Sequence, residues 1–157
     1  MIISWRVPAP AVEETESAFL RGQHEVFVLW TASTHDESDV CAVRRSITPN
    51  QRPGQTPSGV YVHIDGAELA RIQFGNLDLA ERSVVQLHTH PGSDVAMSAL
   101  DRQWEVISHV GALSIIVPYY GRLGLLGFPG AAVYERESTD WRLWPSAETA
   151  QRIRVIE

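Results

Sequence analysis

The chain is 157 residues long, 44% hydrophobic and 20% charged, with a formal charge of −6. Those values suit one globular domain over residues 1–157 with a single core, and leave little room for a second. The mild acidity argues against a nucleic-acid partner, and no apolar run reaches membrane-spanning length because Arg, Gly or Pro interrupts each one.

Cys41 is the single cysteine, which excludes an internal disulfide and fits a reducing cytoplasm. The opening "MIISWRVPAPAVEE" has no basic leader ahead of a long apolar stretch, so no secretory signal is expected. All 13 cationic side chains are arginine, a composition typical of a GC-rich genome.

In chain order, "IISWRV" reads as a short strand stopped by Pro8 and Pro10. "AVEETESAFLRG" spaces Val12, Ala18, Phe19 and Leu20 at helical intervals, with acids early and Gly22 as a stop. "EVFVLWTAS" is a buried strand, and "VCAVRRSI" its antiparallel neighbour with Cys41 as a small core residue. Residues 48–59, "TPNQRPGQTPSG", carry three prolines and two glycines and are expected to form a loop, either a surface excursion or a functional element. "VYVHI" resumes as a strand with Val60, Val62 and Ile64 on one face. "DGAELARIQF" then starts a helix near Asp65, and "SVVQLHTH" is a further apolar strand.

"SALDRQWEVISHV" has a helical period that aligns Leu100, Trp104, Ile107 and Val110. "ALSIIVPYY", "LGLLGF", "GAAVYERE" and "WRLW" read as short strands, and "SAETAQRIRVIE" as a helical turn ending in an edge strand. The five tryptophans are expected in the core. Together these elements predict an α+β fold: a mixed, curved sheet flanked by two or three helices.

The chemistry concentrates in residues 87–101, "LHTHPGSDVAMSALD". Residues two apart on a strand share a face, so His88 and His90 project together and Thr89 points away. Pro91 and Gly92 end the strand. Ser98 fits a helix N-cap, its hydroxyl free to accept from the N–H of Asp101, which places Asp101 in the first helical turn. Two imidazoles and one carboxylate are the three-ligand set of a catalytic zinc site, with the fourth position left to a water that attacks a carbonyl. His24, His35, His63 and His109 fall outside that spacing and read as structural or exposed.

This stretch resembles the signature of the JAMM (MPN+, or JAB-domain) metalloproteases: H-x-H, then ten residues and Asp, with Pro and Ser between. The resemblance covers most of the chain and implies a JAB/MPN-like fold, itself cytidine-deaminase-like. It implies zinc as cofactor, His88, His90 and Asp101 as ligands, and an upstream catalytic Glu at the start of a buried strand. Glu25 in "QHEVFVLW" answers to that Glu, whereas Glu13, Glu14, Glu16 and Glu68 open no core strand. After Glu25 the family carries a small pair of the Cys-Gly type, and this chain has Val26 and Phe27. The roles implied are proton transfer for Glu25 and oxyanion stabilisation for Ser98.

The resemblance extends to short bacterial JAB domains that accompany ubiquitin-like conjugation systems. It implies a cytoplasmic peptidase or isopeptidase acting after the C-terminal tail of a ubiquitin-like protein, a deubiquitinase-like activity. The activating and conjugating enzymes of such a system are then further partners, and a homodimer is allowed. Two other readings stay open: a processing peptidase for a sulfur-carrier protein in cysteine or cofactor biosynthesis, and a non-catalytic scaffold or DNA-repair-associated JAB module.

Overall fold

The computed structural model describes every residue except Gln23, Glu37, Ser58 and Trp104. Strand β1 (Ser4–Pro8) leads into helix α1 (Ala9–Phe19), whose first turn takes Pro10 where no N–H partner is needed. Strands β2 (Phe27–Ser33) and β3 (Val40–Ile47) follow as an antiparallel pair. Next come β4 (Arg52–Thr56), β5 (Gly59–His63), helix α2 (Gly66–Asp78) and strand β6 (Glu81–Thr89). The rest of the chain adds α3 (Ala99–Gln103), β7 (Leu113–Val117), a single 3-10 turn at Tyr119–Gly121, β8 (Ala132–Arg136), β9 (Trp141–Leu143), α4 (Ser146–Arg152) and β10 (Ile153–Ile156).

Eight strands form one mixed sheet in the order β10-β1-β3-β2-β6-β7-β8-β9, and β4 and β5 form a separate hairpin. β1 runs parallel to both β3 and β10, β6 runs parallel to β7, and the remaining neighbours are antiparallel. The α+β class with a curved mixed sheet is as the sequence predicts, with four helices in place of two or three. Among the described residues no helix is long and apolar enough to cross a membrane.

The central strands are apolar on both faces because both faces are covered. In β2, Val28 and Trp30 join α1 in the main core with Trp5, Phe19, Leu87 and Ile115, while Phe27 and Leu29 pack with Ile72 of α2 on the other face. Thr15, fully buried on α1, accepts the Trp30 indole N–H at 2.8 Å and donates to the Ala11 carbonyl at 2.7 Å. Trp5, Trp30, Trp141 and Trp144 are buried as expected, and Trp104 lies outside the described residues. Cys41 sits buried on β3, where burial pushes its thiol pKa up to about 12. β2 meets a bulge on both sides: opposite its Trp30–Thr31 step β6 carries the unpaired Val84, and opposite Thr31–Ala32 β3 carries the unpaired Arg44.

Three expectations are corrected. Residues 48–59 are not loop throughout, since Arg52–Thr56 pairs with β5 from Arg52↔His63 to Thr56↔Gly59. Pro53 is tolerated on a strand that pairs along one side only, and Gly54 lies under the Tyr61 ring, where a Cβ would clash. The motif helix is described only over Ala99–Gln103. Beyond it, the Val106 and Ile107 N–H groups donate to the Gln86 side-chain oxygen, and the two side chains pack into different clusters, so the helical period there is not a helix. Residues 123–128 form turns instead of a strand, with Gly124 and Gly127 at φ 74°.

Candidate active site

The site forms where β2 begins and β6 ends. In the β2–β6 ladder Phe27 faces His88, and carrying that register two residues further sets Glu25 opposite His90. The ladder is extended by two bonds between Val26 and Thr89: the Val26 N–H reaches Thr89 Oγ1 at 3.0 Å, and the Thr89 N–H reaches the Val26 carbonyl at 3.1 Å. Thr89 is fully buried on the core face, so His88 and His90 project together on the α2 face. The Phe27 ring stacks on His88, centroids 6.3 Å apart and 11° from parallel.

The strand start is fixed from the other side by a side chain acting as backbone. Gln51 accepts the Phe27 N–H at 2.7 Å and donates to the Phe27 carbonyl at 2.8 Å, with a further bond to the Pro49 carbonyl. This ties the base of the β4–β5 hairpin to the residue that stacks on His88.

Asp101 arrives from α3. Ser98 and Asp101 cap each other reciprocally: the Asp101 N–H donates to Ser98 Oγ at 3.0 Å, and the Ser98 N–H donates to Asp101 Oδ2 at 2.8 Å. The sequence predicts the first of these bonds, and the second aims the carboxylate back at the strand end. His88 Nε2 then lies 3.2 Å from Asp101 Oδ1, His90 Nε2 3.3 Å from Asp101 Oδ2, and the two Nε2 atoms 3.2 Å from each other.

These separations fit a metal ion. Two ligands at ~2.0–2.1 Å from one tetrahedral centre stand ~3.3–3.4 Å apart, close to the separation of the two Nε2 atoms, and each Nε2 has an Asp101 oxygen at a similar distance. Tautomers agree. His90 Nδ1 lies 2.8 Å from the Asp94 carbonyl, which can only accept, so Nδ1 carries the proton and Nε2 of the neutral ring is a bare lone pair. That lone pair faces a carboxylate oxygen, an arrangement that repels unless a proton or a cation lies between them. His88 Nδ1 is buried without a partner among the described residues, which leaves Nε2 as the polar end of that ring.

Electrostatics report the same demand for positive charge. Burial disfavours a charge on His90, yet hydrogen bonds to Asp101 and to the Asp94 carbonyl hold its pKa above the usual value. Burial alone would raise Asp101, but hydrogen bonds from His88 and His90 keep it well below the usual carboxylate range. Among the described residues, His88, His90 and Asp101 form a group able to hold a metal ion.

Glu25 shares a cavity of about 40 Å³ with His88 and Asp101, walled by Phe27, Tyr61, Val62 and Leu100. It is 7% exposed. Burial raises its pKa to about 7, with His90 pulling it down and Asp101 pushing it up. Glu68 behaves differently: Arg71 and the Asn50 N–H hold its pKa down at about 2, and it lies outside this cavity. Glu16 accepts the Leu125 N–H from α1. A larger cavity of about 640 Å³, at the far end of the sheet by Cys41 and Arg82, contains none of these residues.

Comparison with known proteins agrees with the fold and the metal-binding group. No family model matches the chain. It is 29% identical over 133 residues to a protein of Sinorhizobium fredii named "Probable metalloprotease", covering 84% of this chain and 80% of that one. The solution structure of a protein from Desulfitobacterium hafniense superposes with a TM-score of 0.65 at 15% identity, over 98% of this chain and 93% of the other. That likeness shows the fold alone.

Sequence reasoning missed Phe27, Gln51, Tyr61 and the Asp94 carbonyl. Phe27 had a signal, since in the run expected as a strand from Glu25 onward it lies two residues on and so shares its face. Gln51 and Tyr61 had none, because they come from the stretch expected to be loop and from a strand whose position no local pattern gives.

Proposed function

We propose that this chain is a zinc-dependent peptidase or isopeptidase of the JAMM type that cleaves after the C-terminal tail of a ubiquitin-like protein. The observation that carries the reading is a buried carboxylate, Glu25, in one cavity with two members of a His-His-Asp group spaced for a tetrahedral ion. The relative named a metalloprotease supports peptidase activity in general.

Zinc bound by His88, His90 and Asp101 supplies Lewis acidity and brings the pKa of water toward neutrality. Glu25, buried in the cavity it shares with His88 and Asp101, is the carboxylate placed to take a proton from the attacking water and return it to the leaving amine. The Ser98 oxygen accepts from Asp101 while its own proton is free to reach the oxyanion, a role typically worth ~3 kcal/mol. Asp94, through its carbonyl, keeps the His90 tautomer that presents Nε2.

Two features favour an extended tail with small residues at the scissile bond. The cavity beside the ligands is small, about 40 Å³, which favours a residue such as glycine whose bare backbone approaches closely. The β4–β5 hairpin beside it, through Tyr61 and Val62, offers strand edges to which a tail can add. A lysine-free chain, moreover, presents no side-chain acceptor to a conjugating system working next to it.

The test is cleavage of the cognate ubiquitin-like protein fused to a reporter. Release of the reporter after the ubiquitin-like C-terminus, blocked by a chelator and by Glu25→Gln, is expected. A zinc-loaded enzyme that spares every such fusion yet trims a sulfur carrier would overturn the substrate reading and keep the peptidase.

A further inference from the structure

Four residues other than glycine have a left-handed backbone among the described residues: Ala80 (φ 51°), Tyr119 (53°), Tyr120 (53°) and Phe128 (50°). For a bulky side chain this is an outlier that persists only where the surroundings enforce it. Ala80 directly follows the Leu79 C-cap of α2, where a left-handed residue ends a helix. Phe128 buries its ring in the core. Tyr120 is half-buried, with the Arg122 guanidinium 5.9 Å from its ring centroid.

Tyr119 has no such account, because it is 42% exposed. Glycine is at hand in the same stretch, where Gly121 and Gly124 take φ 76° and 74°. Residue 119 is therefore a strained tyrosine where glycine would be conformationally easier, and among the described residues it belongs to none of the three apolar core clusters.

The strain is imposed from the site. The His90 N–H donates to the Val117 carbonyl at 2.8 Å, the Tyr120 N–H to the His90 carbonyl at 2.9 Å and the Tyr119 N–H to the Gly92 carbonyl at 3.2 Å. Tyr119 is thus pinned to the segment that joins His90 to Ser98. In the strand order β2-β6-β7, the hairpin is tied to the site from the β2 side through Gln51, and Tyr119 stands at the end of β7, on the other side of the histidines.

We propose that Tyr119 is a substrate-contacting, specificity-determining residue: its exposed ring packs against the polypeptide that crosses the strand end at His90. A phenol presents a flat apolar face and a polar tip, suited to an aliphatic side chain on an extended chain. The inference rests on the peptidase reading. A contact of this kind is made equally in the bound ground state and the transition state, so its loss raises KM and spares kcat.

Tyr119→Gly and Tyr119→Phe test it, with zinc content, Tm, kcat and KM measured on the reporter fusion. Tyr119→Gly is expected to keep full zinc and a Tm at or above wild type, to raise KM about tenfold and to hold kcat within about twofold. Tyr119→Phe should stay near wild type. An unchanged KM in Tyr119→Gly overturns the contact role alone, as does a loss of activity that merely follows a lower Tm or less zinc. A zinc-loaded wild-type chain that cleaves neither a fusion nor a sulfur carrier nor a free peptide overturns the peptidase reading and this inference together.

Discussion

Glu25→Gln is expected to make the metal-free protein more stable while removing its activity. Burial raises the Glu25 pKa from 4.5 to about 7. That rise of about 2.5 pH units, at about 1.4 kcal/mol for each, puts the cost of holding the carboxylate ionised at about 3 kcal/mol. The side chain is only 7% exposed, so solvent screens little of it. The sign follows from the direction of the shift. Below pH 4.5 the group is protonated in both states and costs nothing. As pH rises from 4.5 through about 7, the unfolded chain ionises freely and the folded chain only against burial, so stability falls and then levels off once both are ionised.

Glutamine carries no charge and escapes that fall. In a chain of this length about 3 kcal/mol corresponds to a Tm difference of about 6–12 °C. Circular-dichroism melts of chelated wild type and Glu25→Gln, from pH 4.5 to 8.5, should coincide at the acid end and separate by that amount at pH 8. Turnover of the zinc-loaded variant should meanwhile drop by about 10²–10⁴. Equal melting temperatures at pH 8, or a separation that does not depend on pH, would refute the argument that desolvation tunes this carboxylate.

His88→Ala, His90→Ala and Asp101→Ala should each lose the bound metal, read as zinc per chain by atomic absorption, and full occupancy in His90→Ala would sink the ligand assignment. Ser98→Ala should lower kcat more than it raises KM and cost about 1 kcal/mol through the lost cap; a purely thermal effect leaves Ser98 a structural role only. Gln51→Ala leaves both backbone groups of Phe27 without their partner, so urea unfolding should show a loss of about 1–3 kcal/mol, and wild-type stability would mean the ladder closes without it.

Much of the site was legible because strand parity and cap chemistry are local. The H-x-H pair put two imidazoles on one face, Pro91 and Gly92 closed the strand, and Ser98 with Asp101 carried a cap signal that the fold uses in both directions. What escaped depends on contacts distant in sequence. Pro53 and Gly54 mark a loop by local rules, yet a two-stranded hairpin tolerates the missing N–H and the Tyr61 ring needs the missing Cβ. Val106 and Ile107 continue a helical period, but they serve two separate clusters across an extended segment held by Gln86. The glycine-spaced leucines at 123–126 suggested a strand, although left-handed glycines turn the chain there.

The paired bulges beside β2 bear on how this chain can change length. From Phe27↔His88 to Trp30↔Val85 the ladder has one phase, and from Thr31↔Ser83 onward it has another, with Val84 absorbing the offset. Removing one residue from the connection ahead of β6 shifts only the half of the strand before Val84, because the bulge can move or close. Removing one between Val85 and His90 instead inverts which side chains face α2, and would bring Leu87 where His88 stands. Natural or engineered insertions are therefore expected at residues 34–39 and 79–80, while the segment from Val85 to His90 keeps its length.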